Sequence, residues 1–134
     1  MARIISILVL FAALVGVALA EQVSITRTYN HMKAETAAII ARVEETPDLG
    51  DATAFDGYLK QRADDLHRYW QKKEHEMCIF IRHIDLSYVS DALIYAKNFI
   101  EFDNKEEAMA GLRRLEYLLD TYSKLYGFNG LNIL

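Results

Sequence analysis

A chain of 134 residues, 52% hydrophobic and 25% charged, has room for one compact domain and enough apolar side chains to build its core, which excludes a disordered chain. Its formal net charge of −4 excludes a general nucleic-acid binder, because phosphate contacts need a basic face and the clusters Lys72-Lys73 and Arg113-Arg114 sit among acids. Cys78 is the only cysteine, so no internal disulfide can staple the fold and stability must come from packing.

The chain starts with Met1-Ala2-Arg3 and then carries no charged residue from Ile4 to Ala20. A positive start, an apolar run and the small residues Ala18 and Ala20 ahead of Glu21 have the layout of an export signal, with an A-x-A cleavage site between Ala20 and Glu21. The alternative is an uncleaved anchor, since a spanning helix takes about 17 to 25 predominantly apolar residues and this run lies at the lower edge of that range. Cleavage is the first expectation. On either reading residues 1–20 are a signal peptide or membrane anchor, and residues 21–134 form a helical domain on the extracytoplasmic side. Without Arg3, 14 of the 15 basic residues remain against 19 acidic ones, so the exported part has a formal charge of −5.

Beyond residue 20 the dominant signal is helical periodicity, with one Pro in the chain and few Gly to interrupt it. A first segment, from about Glu21 to Thr46, spaces Ile25, Tyr29, Met32, Thr36, Ile39 and Val43 down one helix face, and Pro47 and Gly50 end it. A second begins near Thr53, where Thr53-x-x-Asp56 has the form of a capping box, and carries Phe55, Leu59, Ala63, Leu66 and Trp70 inward. It is expected to continue through Met77–Ile81, which would bury Cys78 as a small hydrophobe. A third starts at Asp85 as N-cap and turns Val89, Ala92, Leu93, Ala96, Phe99 and Ile100 to the core. Asp103-x-x-Glu106 starts the fourth, in which Ala108, Leu112, Leu115, Leu119, Tyr122 and Tyr126 repeat the stripe. Short turns make these antiparallel pairs, so the expected fold is all-α: a four-helix arrangement of two αα-hairpins after the hydrophobic segment. Gly127, Gly130, Phe128, Leu131, Ile133 and Leu134 form a tail expected to dock on the bundle.

From Trp70 onward the order of His83-Ile84-Asp85, Ala92-Leu93, Phe99-Ile100, Asp103, Glu107-Ala108, Leu112-x-x-Leu115 and Leu131-Asn132-Ile133-Leu134 resembles a bacterial family of small helical proteins, the domain of unknown function 4363 family. The resemblance implies a hydrophobic N-terminal segment that is often retained. It implies no activity, cofactor or site residue.

Four histidines, His31, His67, His75 and His83, raise the question of a metal. The last three are each eight residues apart, so on one helix successive members diverge by about 80° and cannot share an ion from one face. Asp64-x-x-His67 is a single carboxylate–imidazole pair where a di-metal bundle needs two such motifs and further carboxylates. It reads instead as an exposed helix pair. His83 with Asp85 falls at a helix junction and is the one candidate ligand or structural pair. In the structural account Asp85 caps the third helix while His83 closes the second. Neither Ser87 and Ser90 nor Cys78 with His75 sits in a nucleophile's context, so no catalytic, metal or cofactor residue is expected. Trp70 and the eight tyrosines read as core and groove-lining residues. The function expected is a non-enzymatic interaction module of the cell envelope, with a membrane or envelope protein, or a second copy, as partner and no nucleic acid. The alternative is a small-ligand or metal-binding helical bundle.

Overall fold

The computed structural model describes residues 2–47 and 54–127. Over these the chain forms α1 (Ala2–Glu45), α2 (Gly57–Met77), α3 (His83–Glu101) and α4 (Lys105–Tyr126). Each helix packs on its neighbour in sequence, and α4 returns to pack on α1. The expected all-α, antiparallel four-helix arrangement is therefore the observed one, with its two hairpins closed around a single core.

The buried residues are the periodic ones. Ile25, Tyr29, Met32, Thr36, Ile39 and Val43 of α1 are all buried, as are the stripes of α2, α3 and α4 apart from Phe99 and Tyr126, which are half-buried. Each large side chain withdrawn from water in this way contributes about 1.5–3 kcal/mol against the entropy of ordering the chain. Trp70 sits in the middle of this core, its ring centroid 6.3 Å from that of Tyr29. The α3–α4 pair approaches closely at Gly111, where a Cβ would come within 2.8 Å of Tyr95 Cδ1 and 2.9 Å of Ala96 Cα. The missing side chain lets the two backbones meet.

Helix α1 differs from the expected layout. The hydrophobic segment and the first bundle helix are one element of 44 residues, about 66 Å at about 1.5 Å per residue. No Pro or bulge interrupts it, and the sequence at the junction, Ala18-Leu19-Ala20-Glu21-Gln22, consists of strong helix formers. Bundle partners accompany only its C-terminal half. Every residue from Ile4 to Leu19 is exposed.

The helix starts also correct the expectations. Asp56, not Thr53, is the N-cap of α2: its backbone is extended and its carboxylate accepts the Leu59 N–H at 2.7 Å. Thr53 and Gly50 lie outside the described residues, as does the tail from Phe128 onward. Asn104, not Asp103, caps α4 by accepting the Glu107 N–H at 3.0 Å. Asp103 is instead the turn residue, at φ 57°, a left-handed conformation that short polar side chains tolerate better than most. Its carboxylate accepts the Phe55 N–H at 2.9 Å and pairs with Lys60 at 3.0 Å, tying the α3–α4 turn to the start of α2.

Candidate functional site

Antiparallel helices of unequal length give the bundle two unlike ends. The far end gathers the α3–α4 turn and the end of α1. The near end, from which the exposed half of α1 emerges, gathers the α2–α3 turn and the C-terminus of α4. Its architecture is set by contacts between distant parts of the chain: Gln22 Nε2 donates to the Tyr126 carbonyl, and the Tyr126 hydroxyl donates to the Asp85 carboxylate.

Asp85 is the centre of this end. The structure does not place it as an N-cap. α3 begins at His83, and Arg82 occupies the cap position without a side-chain cap bond. Asp85 therefore lies in the first turn, where a carboxylate is favoured by the helix dipole, and its side chain turns inward. It is 3% exposed, accepts the Tyr126 hydroxyl, and receives a two-nitrogen fork from Arg82 at 2.9 and 3.2 Å. Burial alone would raise its pKa. The hydrogen bonds from Tyr126 and Arg82, with a further one from Tyr122, outweigh that penalty and hold the carboxyl below the ordinary aspartate range. The same grouping acts on its neighbours in the opposite sense. Burial and the Asp85 charge both raise the Tyr122 phenol, and burial with Tyr126 and Asp85 nearby raises that of Tyr29 further.

The pairing of His83 with Asp85 does not form. His83 is exposed at the first position of α3, where its carbonyl accepts the Ser87 hydroxyl at 2.9 Å, while Asp85 faces the opposite way into the bundle. The residue that sequence reasoning missed is Tyr126. It was legible as a core-stripe position, but its hydroxyl joins Asp85 across 41 residues of chain, a contact no local spacing announces.

A second polar group lies deeper between α2 and α3. Trp70 Nε1 donates to Ser90 Oγ at 2.7 Å, and the Ser90 hydroxyl lies 2.8 Å from a Glu74 carboxylate oxygen and 3.1 Å from the Leu86 carbonyl. This satisfies the indole N–H without opening a cavity. Asp64 pairs with Lys97 of α3 at 3.0 Å and with Arg68 at 3.1 Å. Among the described residues no group of three or more His, Cys, Asp or Glu side chains is arranged to hold a metal ion.

The near end is also where exposed apolar side chains collect. α2 stops at Met77, earlier than expected, and the Phe80 and Ile81 N–H groups both turn back to the Met77 carbonyl. Met77 and Ile81 are buried under the bundle. Between them Cys78, Ile79 and Phe80 project outward, so the expectation of a buried Cys78 is reversed by this turn. Ile79 is 80% exposed, and Ile84 in the first turn of α3 and Leu125 in the last of α4 are exposed at the same end. Among the described residues α1 is the one helix long and apolar enough to cross a membrane.

No protein-family model, no curated protein and no solved structure matches the chain.

Proposed function

We propose that this chain is a membrane-anchored, non-enzymatic module of the cell envelope, in which α1 serves both as anchor and as core helix of a four-helix bundle displayed on the extracytoplasmic side. The observation that carries the reading is the continuity of α1. A helix whose residues 4–19 are exposed and apolar, and whose residues 25–43 supply the core stripe, transmits the orientation of one half rigidly to the other. This favours a retained anchor over the cleaved signal, since Ala20 and Glu21 lie within unbroken helix and not on an extended segment. The resemblance to the domain of unknown function 4363 family supports the same choice.

An interaction role is supported by what the bundle leaves on its surface. Tyr88 and Tyr95 of α3 and Phe102 just past its end recur every seven residues and are all exposed, an aromatic surface of the kind that docks on another protein. Of the buried polar groups, Asp85 is hydrogen-bonded to Tyr126 and Arg82 and Trp70 to Ser90, while among the described residues the buried hydroxyls of Tyr29 and Thr36 have no partner. The partner expected is a membrane or envelope protein or a second copy. Fractionation of cells expressing the full chain tests the anchor: the protein should stay in membranes through alkaline extraction, and Leu10→Arg should release it. A wild-type protein that washes free overturns the reading.

A further inference from the structure

We infer that the α2–α3 turn is a second membrane contact, with Ile79, Phe80 and Ile84 seated in the interfacial region of the same bilayer that holds α1. This rests on the anchored reading and adds to it where the bundle sits and how it is oriented.

The level of the turn follows from the register of the helices. Along the α1–α2 pair Glu35 meets Arg62 at 3.0 Å, the His31 and Tyr69 rings lie 4.4 Å apart, and Tyr29 meets Trp70. Each step down α1 matches a step up α2, as antiparallel helices of equal rise require. Met77 lies eight residues beyond Tyr69, about 12 Å at about 1.5 Å per residue, which brings it level with Val23. Ile79 and Phe80 then stand level with Glu21, where the uncharged run of α1 begins. On the other side Gln22 bonds the Tyr126 carbonyl, so α4 ends at the same height, with Leu125 exposed there.

Ile79 is 80% exposed, Ile84 52% and Phe80 48%, so the bundle leaves about half or more of each side chain open. Apolar side chains in this number at a turn usually have a partner, because a tip facing water would carry polar residues. Here the surface that meets them is already fixed by α1. Arg82 adds a second feature of the interface: its side chain is 69% exposed beside the apolar tip, where a guanidinium can reach lipid phosphates while its stem lies on the apolar surface. With α1 entering the bilayer at one corner of the bundle and the turn resting on it at another, the bundle is held upright and cannot swivel freely about its anchor.

Cys78 supplies the reporter, since it is the only cysteine and is exposed at the tip. The full chain, labelled there with an environment-sensitive fluorophore, is reconstituted in phosphatidylethanolamine and phosphatidylglycerol vesicles containing brominated lipid. Two controls carry the label elsewhere in a Cys78→Ser background: Val9→Cys within the anchor and Phe102→Cys at the far end. The expected result is lipid quenching at residues 9 and 78 and not at 102, with several-fold loss of the Cys78 signal in Ile79→Asp/Phe80→Asp and none at residue 9. Quenching at residue 9, with Cys78 as open to aqueous iodide as residue 102, overturns the tip contact while leaving the anchor intact. An unquenched residue 9 overturns the anchored reading itself. A Cys78 label shielded from both lipid and iodide, and re-exposed when the protein is diluted in lipid, assigns the tip to a second copy and overturns the inference.

Discussion

Replacing Asp85 with Ala tests whether the near end of the bundle is locked by one buried carboxylate. The side chain is 5% exposed and accepts hydrogen bonds from Tyr126 and from both forks of Arg82. A hydrogen bond to a charged acceptor contributes about 1.5–3 kcal/mol net. The Arg82 guanidinium is 69% exposed and can rehydrate, so its share is small. What remains is the Tyr126 hydroxyl, the weaker Tyr122 bond and the packing of the methylene, together about 3 kcal/mol, a large fraction of the about 5–15 kcal/mol that holds a domain of this size. Urea unfolding of the full chain in detergent micelles, followed by far-ultraviolet circular dichroism, measures it. Arg82→Ala should lose clearly less. The pH dependence carries the same sign: Asp85 titrates below its ordinary value of 3.8 when folded, so its contribution is complete above that value and disappears as pH falls through the lower folded one. Asp85→Asn should remove this part of the acid sensitivity. Unchanged stability in Asp85→Ala, or a loss in Arg82→Ala as large, would refute the assignment of the carboxylate as the lock.

Other substitutions probe the rest of the fold. Leu115 is fully buried, and Leu115→Asp should leave the bundle unfolded by circular dichroism because an unpaired buried charge exceeds the stability available. Tyr29→Phe removes a buried hydroxyl that has no hydrogen-bond partner among the described residues and should raise the urea midpoint, by an amount equivalent to about 1 kcal/mol; a lowered midpoint would mean the hydroxyl is satisfied. Gly111→Leu forces side-chain atoms against Tyr95 and the Ala96 backbone and should cost about 1–3 kcal/mol in thermal unfolding, more than any gain in helix propensity returns. Asn104→Ala removes the α4 cap and should cost about 1 kcal/mol.

The helices and their buried faces were legible because periodicity is a sum over many residues: the stripe from Ile25 to Val43 survives any one misplaced side chain. Helix starts depend on single side chains. Asp56 and Thr53 are both competent caps in sequence, as are Asp103 and Asn104, and the choice is made by where the turn meets its neighbours. Asp103 lost the cap because the Phe55 N–H and Lys60 needed its carboxylate more closely. Asp85 was misread for the opposite reason, its true partner Tyr126 being brought to it only by closure of the bundle. Cys78 shows the limit of local composition: apolar neighbours suggested burial, whereas Met77 and Ile81 take the interior and leave the residues between them outside. Nor did spacing show that residues 1–20 and the first bundle helix are one rod, since each half reads as a complete helix by itself.

The mass of the intact native protein recovered from the membrane fraction tests the central claim most directly. The account expects a species that retains residues 4–20, beginning at Met1 or Ala2, because the helix that anchors the chain is the helix that builds its core. A mature form beginning at Glu21 and found free of membranes would contradict it.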